Sequence, residues 1–79
     1  MMRIHFISVR IDPASNQAFT LTHCQTTLAY TVEAMDRETG EKTVIASYWH
    51  DGSLADAKSA RALALGAFDS AHLTERSPA

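Results

Sequence analysis

Residues 30–49 read YTVEAMDRETGEKTVIASYW: an alternating run, a charged turn and a second run. Tyr30, Val32 and Ala34 recur at every second position, the period of a strand with one buried face. DRETGE, residues 36–41, then places Gly40 where a short loop needs positive φ. The returning strand, residues 42–50, carries Val44, Ala46 and Tyr48 on one side and Ile45 and Trp49 on the other. The stretch is a β-hairpin whose second strand is apolar on both sides. One placement puts Ile45 and Trp49 under the N-terminal segment; the alternative makes Trp49 part of a contact surface for a partner.

Working outward, AFTLTHC at 18–24 is also extended, with Phe19 and Leu21 on one face and Thr20 and Thr22 on the other. At QTT the apolar parity switches from odd to even and continues through Leu28 and Tyr30. A period of two cannot change parity without an extra residue. Residues 18–35 are therefore one long strand with a bulge near 25–27, or two strands joined by a short turn there. DPASNQ at 12–17 is turn chemistry. Before it, RIHFISVRI at 3–11 gives a first strand, with Ile7, Val9 and Ile11 on one face and Ile4 and Phe6 on the other.

Beyond the hairpin, DGSLADAKSARALALGAF signals a helix over about 53–71. Ser53 is the expected N-cap, with Asp56 three residues on in a capping-box arrangement. Leu54, Ala57, Ala60, Ala64, Leu65, Phe68 and Ala71 form one stripe at helical spacing, and Leu63 points away. Arg61 lies at the edge of the stripe and would snorkel. Residues 73–79 are expected as a tail. The implied fold is α+β, a small two-layer sandwich. An antiparallel sheet of three to four strands carries one C-terminal helix packed across one face.

Seventy-nine residues are enough for one domain, and 46% apolar residues with 20% charged ones are too hydrophobic for disorder. A formal charge of −2 gives no overall basic footprint for nucleic acid. The lone Cys24 excludes an internal disulfide, although it could link two chains. No signal-peptide core or membrane-length apolar run is present, so a cytoplasmic location is expected. At this size the entropy of ordering and the return from burial nearly cancel. A homodimer sharing the apolar side of the sheet would help, and monomer and homodimer both stay open.

Catalytic signals are weak. His5, His23, His50 and His72 stand apart, with no pair at metal-ligand spacing. His23 and Cys24 fall on opposite strand faces, which argues against a thiolate–imidazole pair. HDGS at 50–53 is what a strand-to-helix junction requires for turn and cap. No catalytic residue, metal site or cofactor is expected, and the chain reads as a non-enzymatic binder.

The span Leu28–Phe68 resembles the C-terminal part of double-stranded-RNA-binding domains, where an Ala-rich helix follows a hairpin and lies on the sheet. That family sets lysines at the start of the helix. Here the positions hold Leu54, Ala55, Asp56 and Ala57, with only Lys58 basic, and the family's first helix is missing. A second resemblance, of type rather than motif, covers the whole chain. In size, mild acidity and lack of catalytic residues it is similar to the small anti-CRISPR proteins of phages and mobile elements. That likeness implies inhibition by occupying the DNA-binding surface of a type I CRISPR effector complex (Cascade), with type I-C the favoured subtype. In that reading the hairpin presents Glu33, Asp36, Glu38 and Glu41 to basic residues of the target, with Trp49 as an anchor. Two other readings stay open. One is a nucleic-acid-binding module in which Arg3, Arg10, Arg37, Lys42, Lys58 and Arg61 converge; the other is a regulatory partner protein.

Overall fold

The computed structural model describes residues 3–76. Four strands, β1 (Ile4–Asp12), β2 (Gln17–Cys24), β3 (Ala29–Asp36) and β4 (Lys42–Trp49), precede one helix, α1 (Leu54–Arg76). The strands form an antiparallel sheet in sequence order, β1-β2-β3-β4, so three hairpins account for the whole topology. The parity switch at QTT is a turn between two strands: β2 ends at Cys24 and β3 begins at Ala29, opposite it. Residues 73–76 of the expected tail continue α1, and 77–79 lie outside the described residues.

Each turn is made by the chemistry its residues carry. Between β1 and β2, the Asp12 carboxylate accepts the Ala14 N–H and the Ser15 hydroxyl, both at 3.1 Å. Asn16 closes that turn at φ 55°, a conformation Asn tolerates. Between β2 and β3 the same φ falls on Leu28, where an L side chain costs roughly 1–2 kcal/mol. Leu28 is held there by the residue after the neighbouring strand β4, its carbonyl accepting the His50 N–H at 3.0 Å. Its side chain packs close to Gly52.

One face of the sheet makes the core. Phe19, Leu21 and Val32 are fully buried, with Tyr30 and Ala34 beside them, beneath Ala60, Ala64, Phe68 and Ala71 of α1. Those four recur at helical spacing, and their small side chains let the helix lie close to the sheet. The helix covers β2, β3 and β4. β1 is joined to it through Arg10, whose guanidinium lies 5.2 Å from the Phe68 ring centroid and 3.7 Å from the Asp69 carboxylate.

Four expectations about faces need correction, two of them because of bulges. In β1, Phe6 opposes Thr22 and Ser8 opposes Leu21, leaving Ile7 as an extra residue. The bulge reverses the alternation, so Ile4, Phe6, Val9 and Ile11 share the face away from the helix while Ile7 packs on the core. In β4, Val32 opposes Ala46 and Glu33 opposes Val44, so Ile45 is extra and Val44 leaves the side of Ala46 and Tyr48. The N-terminal strand does not cover Ile45 and Trp49: it lies at the opposite edge of the sheet, and Trp49 is 67% exposed. Leu54 is also exposed rather than part of the buried stripe, because the first turn of α1 precedes the helix's contact with the core at Ala60.

Ser53 caps α1 as expected, its hydroxyl accepting the Asp56 N–H at 3.3 Å. The reciprocal arm differs from a capping box. Asp51 accepts the Ser53 N–H, and the Asp56 carboxylate reaches back to the Asp51 N–H, both at 2.8 Å. The bonds from Ser53 hold the Asp51 carboxyl below its usual 3.8, so this support is present above that pH and lost as acid protonates the group.

Two substitutions check this account by chemical denaturation. Phe68→Ala should cost about 3–5 kcal/mol, while Leu63→Ala, on the exposed side of α1, should change stability by less than about 0.5 kcal/mol. Ser53→Ala should cost about 1 kcal/mol through loss of the cap, and equal midpoints for variant and wild type would place the start of the helix elsewhere.

Candidate functional site

At one end of the sheet the β3–β4 turn is fixed from within. Asp36 Oδ1 accepts the N–H groups of Glu38 and Thr39, at 2.8 and 3.2 Å. The Asp36 carbonyl accepts the Gly40 N–H at 2.7 Å, and its own N–H donates to the Glu41 carbonyl at 2.8 Å. Gly40 takes φ 78°. Arg37 N–H donates to the Asn16 carbonyl, tying this turn to the β1–β2 turn beside it. Glu38 and Glu41 are exposed at the tip, and their carboxylates enter no ion pair among the described residues.

The five residues expected to meet a partner are therefore not one surface. Asp36 is committed to its own turn. Glu38 and Glu41 stand at the tip, whereas Glu33 lies mid-strand on the face away from the helix, opposite Val44. Trp49 shares that face but sits seven residues along β4 from Lys42, roughly 23 Å at ~3.3 Å per residue. Asp36 carries the turn through these bonds, so replacing it would cost stability as well as charge.

The face away from the helix is the exposed apolar side of the sheet. Its β1 column is apolar throughout: Ile4, Phe6, Val9 and Ile11, with Phe6 69% exposed. The two central columns are built mainly from small residues, among them Thr20 and Thr22 on β2 and Ala29 and Thr31 on β3. The β4 column carries Trp49, Ser47, Val44 and Lys42. Large side chains at both rims over a low floor leave a groove of about 300 Å³ between Phe6, Thr22, Met35 and Lys42. Its charged groups are one acid, Glu33, and one base, Lys42.

At the other end of the sheet, on the helix side, two histidines that the sequence leaves 27 residues apart come into contact. His50 Nδ1 accepts the Gly52 N–H at 3.1 Å, so its proton resides on Nε2. That N–H donates to Nε2 of His23 at 2.9 Å, and His23 keeps its own proton on Nδ1. The rings stack with centroids 5.2 Å apart, and Tyr30 lies 4.4 Å from His23. His5 is opposite His23 across the β1–β2 pair. Only the strand register brings these rings together, so no spacing rule could have found them. No group of three His, Cys, Asp or Glu side chains placed to hold a metal ion occurs among the described residues.

Cys24 sits at the start of the β2–β3 turn, half-buried, and hydrogen bonds with Thr27, then Thr26, lower its thiol pKa. Among the described residues no helix is long and apolar enough to cross a membrane. No family model matches the chain, and neither does any curated protein or solved structure.

The histidine contact has a pH signature. Protonating His23 at Nε2 would set two N–H groups against each other. Burial first, then the neighbouring charges of His50 and His5, hold its pKa below the ordinary 6.5. The unfolded chain thus binds this proton more tightly than the native state. The contribution is complete above 6.5 and is lost as pH falls from there through the lower native pKa. Thermal midpoints should therefore fall between about pH 7 and about pH 5, and His23→Gln should flatten that slope. A slope unchanged in the variant would assign it to other groups.

Proposed function

We propose that the protein is a non-enzymatic binding inhibitor that occupies the DNA-binding surface of a type I CRISPR effector complex, acting in the host cytoplasm, with type I-C the subtype to test first. The observation that carries the contact is the hairpin tip. Its backbone is fixed by internal hydrogen bonds, and it holds the Glu38 and Glu41 carboxylates outward. A loop already ordered loses little freedom on binding, so its charge interactions are less offset by entropy. A surface that grips phosphates presents lysines and arginines, and paired carboxylates at the end of a ribbon meet that charge. The effector class comes from the likeness of size and composition.

A nucleic-acid-binding module has less behind it. The helix start lacks a lysine cluster, and there the Asp51 carboxylate takes the Ser53 N–H and the Ser53 hydroxyl takes the Asp56 N–H, which places an acid where a phosphate would sit. Arg10 is engaged with Phe68 and Asp69 on the helix side of the sheet.

The test is target-DNA binding by an assembled type I effector in the presence of the protein. Wild type should suppress DNA binding. Glu38→Lys with Glu41→Lys should lose at least about tenfold in inhibitory potency, because like charges then face each other, while the melting midpoint stays nearly unchanged. Asp36→Lys is the contrast, since it should lower the midpoint through the turn itself. A double variant that inhibits as well as wild type would remove the tip as the contact. Salt-sensitive, sub-micromolar binding of the isolated protein to duplex DNA or RNA would instead favour the nucleic-acid module.

A further inference from the structure

We propose that the sheet face away from α1 binds a second copy of the chain, face to face, giving a four-layer helix–sheet–sheet–helix homodimer. Extent is the first argument. Four strands at ~4.8 Å and about seven residues at ~3.3 Å project to roughly 450 Å² per copy. Two copies bury about 900 Å² before side-chain relief is added, which brings the pair to the ~1,000 Å² that a specific interface needs.

Shape is the second argument. The apolar β1 column stands over a floor of threonines and alanines, so the protruding side chains of one copy have a trough to enter in the other. Sheets packed this way sit about 10 Å apart with interdigitated side chains. Charge is the third. The face holds Glu33 and Lys42 in balance, so a second copy meets no excess of like charge, whereas a strongly basic target would find little on this face to attract it. A 79-residue chain with one helix over one sheet face also has a thin core, and pairing would give the sheet a second buried layer. Trp49 and Phe6 become anchors of this pairing, and the Glu38–Glu41 tip, beyond the strand ends, stays clear of it.

Sedimentation of the full chain over a concentration series reads the proposal directly, without any target. The mass should move from the 8.7 kDa of one chain towards twice that value. Emission of the sole tryptophan, Trp49, should shift to the blue in parallel as its ring leaves water. Phe6→Lys should weaken dimerisation at least about thirtyfold, the effect of setting a charge in place of a buried aromatic anchor, while the variant keeps a native circular-dichroism spectrum. Val44→Lys, on the opposite rim, repeats the test should Phe6→Lys not fold. A single-chain mass up to several hundred micromolar would overturn the proposal. So would a dimer that survives both substitutions. Binding of a monomer to phospholipid vesicles would assign the face to a membrane surface instead.

Discussion

The contact between the alanine stripe of α1 and the floor formed by Phe19, Leu21 and Val32 is the interaction on which the rest of the structure depends. It is a close, one-sided contact. A single helix of this width cannot span four strands, so it reaches β2, β3 and β4 and leaves β1 to be joined by Ile7 and by the arginine that lies over Phe68. Among the described residues nothing covers the opposite face. The apolar residues there follow from the same sequence economy, because strands that pair well are rich in β-branched and aromatic side chains on both sides. What a larger protein would give to a second layer, this one leaves in contact with solvent or with another molecule.

Much of that arrangement was legible in the sequence. The number of strands within one, the antiparallel order, the glycine turn at 36–41 and the cap at Ser53 all follow from local chemistry, which acts over a few residues. The bulges did not follow. At Ile4–Ile11 apolar residues occupy both faces, and only the change of parity of the polar residues, from His5 to Ser8 and Arg10, marks the slip at Ile7. At Val44–Ala46 every residue is apolar, so nothing marks the second slip, at Ile45. The candidate site was less legible still. Asp36 looks like Glu38 in composition, and only the geometry of the turn distinguishes the acid that holds the loop from the acids the loop presents. His23 and His50 meet through register, which no window of neighbouring residues contains.

The two ends of the sheet are also unlike. At the tip end, Asp12 and Asp36 each fold a carboxylate back onto their own turn, and an N–H from one turn reaches a carbonyl of the other. That end is rigid and charged. At the other end, left-handed Leu28, the histidine pair and Gly52 form a knot joining the β2–β3 turn to the start of the helix. The strain at Leu28 is sustained by a backbone bond from His50, the residue whose ring meets His23.

The positions of the bulges carry one more consequence. Ile7 and Ile45 lie in β1 and β4, the strands whose outer hydrogen-bonding groups have no neighbour within the sheet. A straight, apolar outer strand is a template on which further chains can add indefinitely, as in a fibril. An inserted residue kinks that strand and breaks the even spacing that an incoming strand would have to match. Sideways growth is therefore frustrated at both margins. Association through the flat of the sheet consumes its own surface and stops at two, and the chain can carry this much exposed hydrocarbon without an open route to polymer.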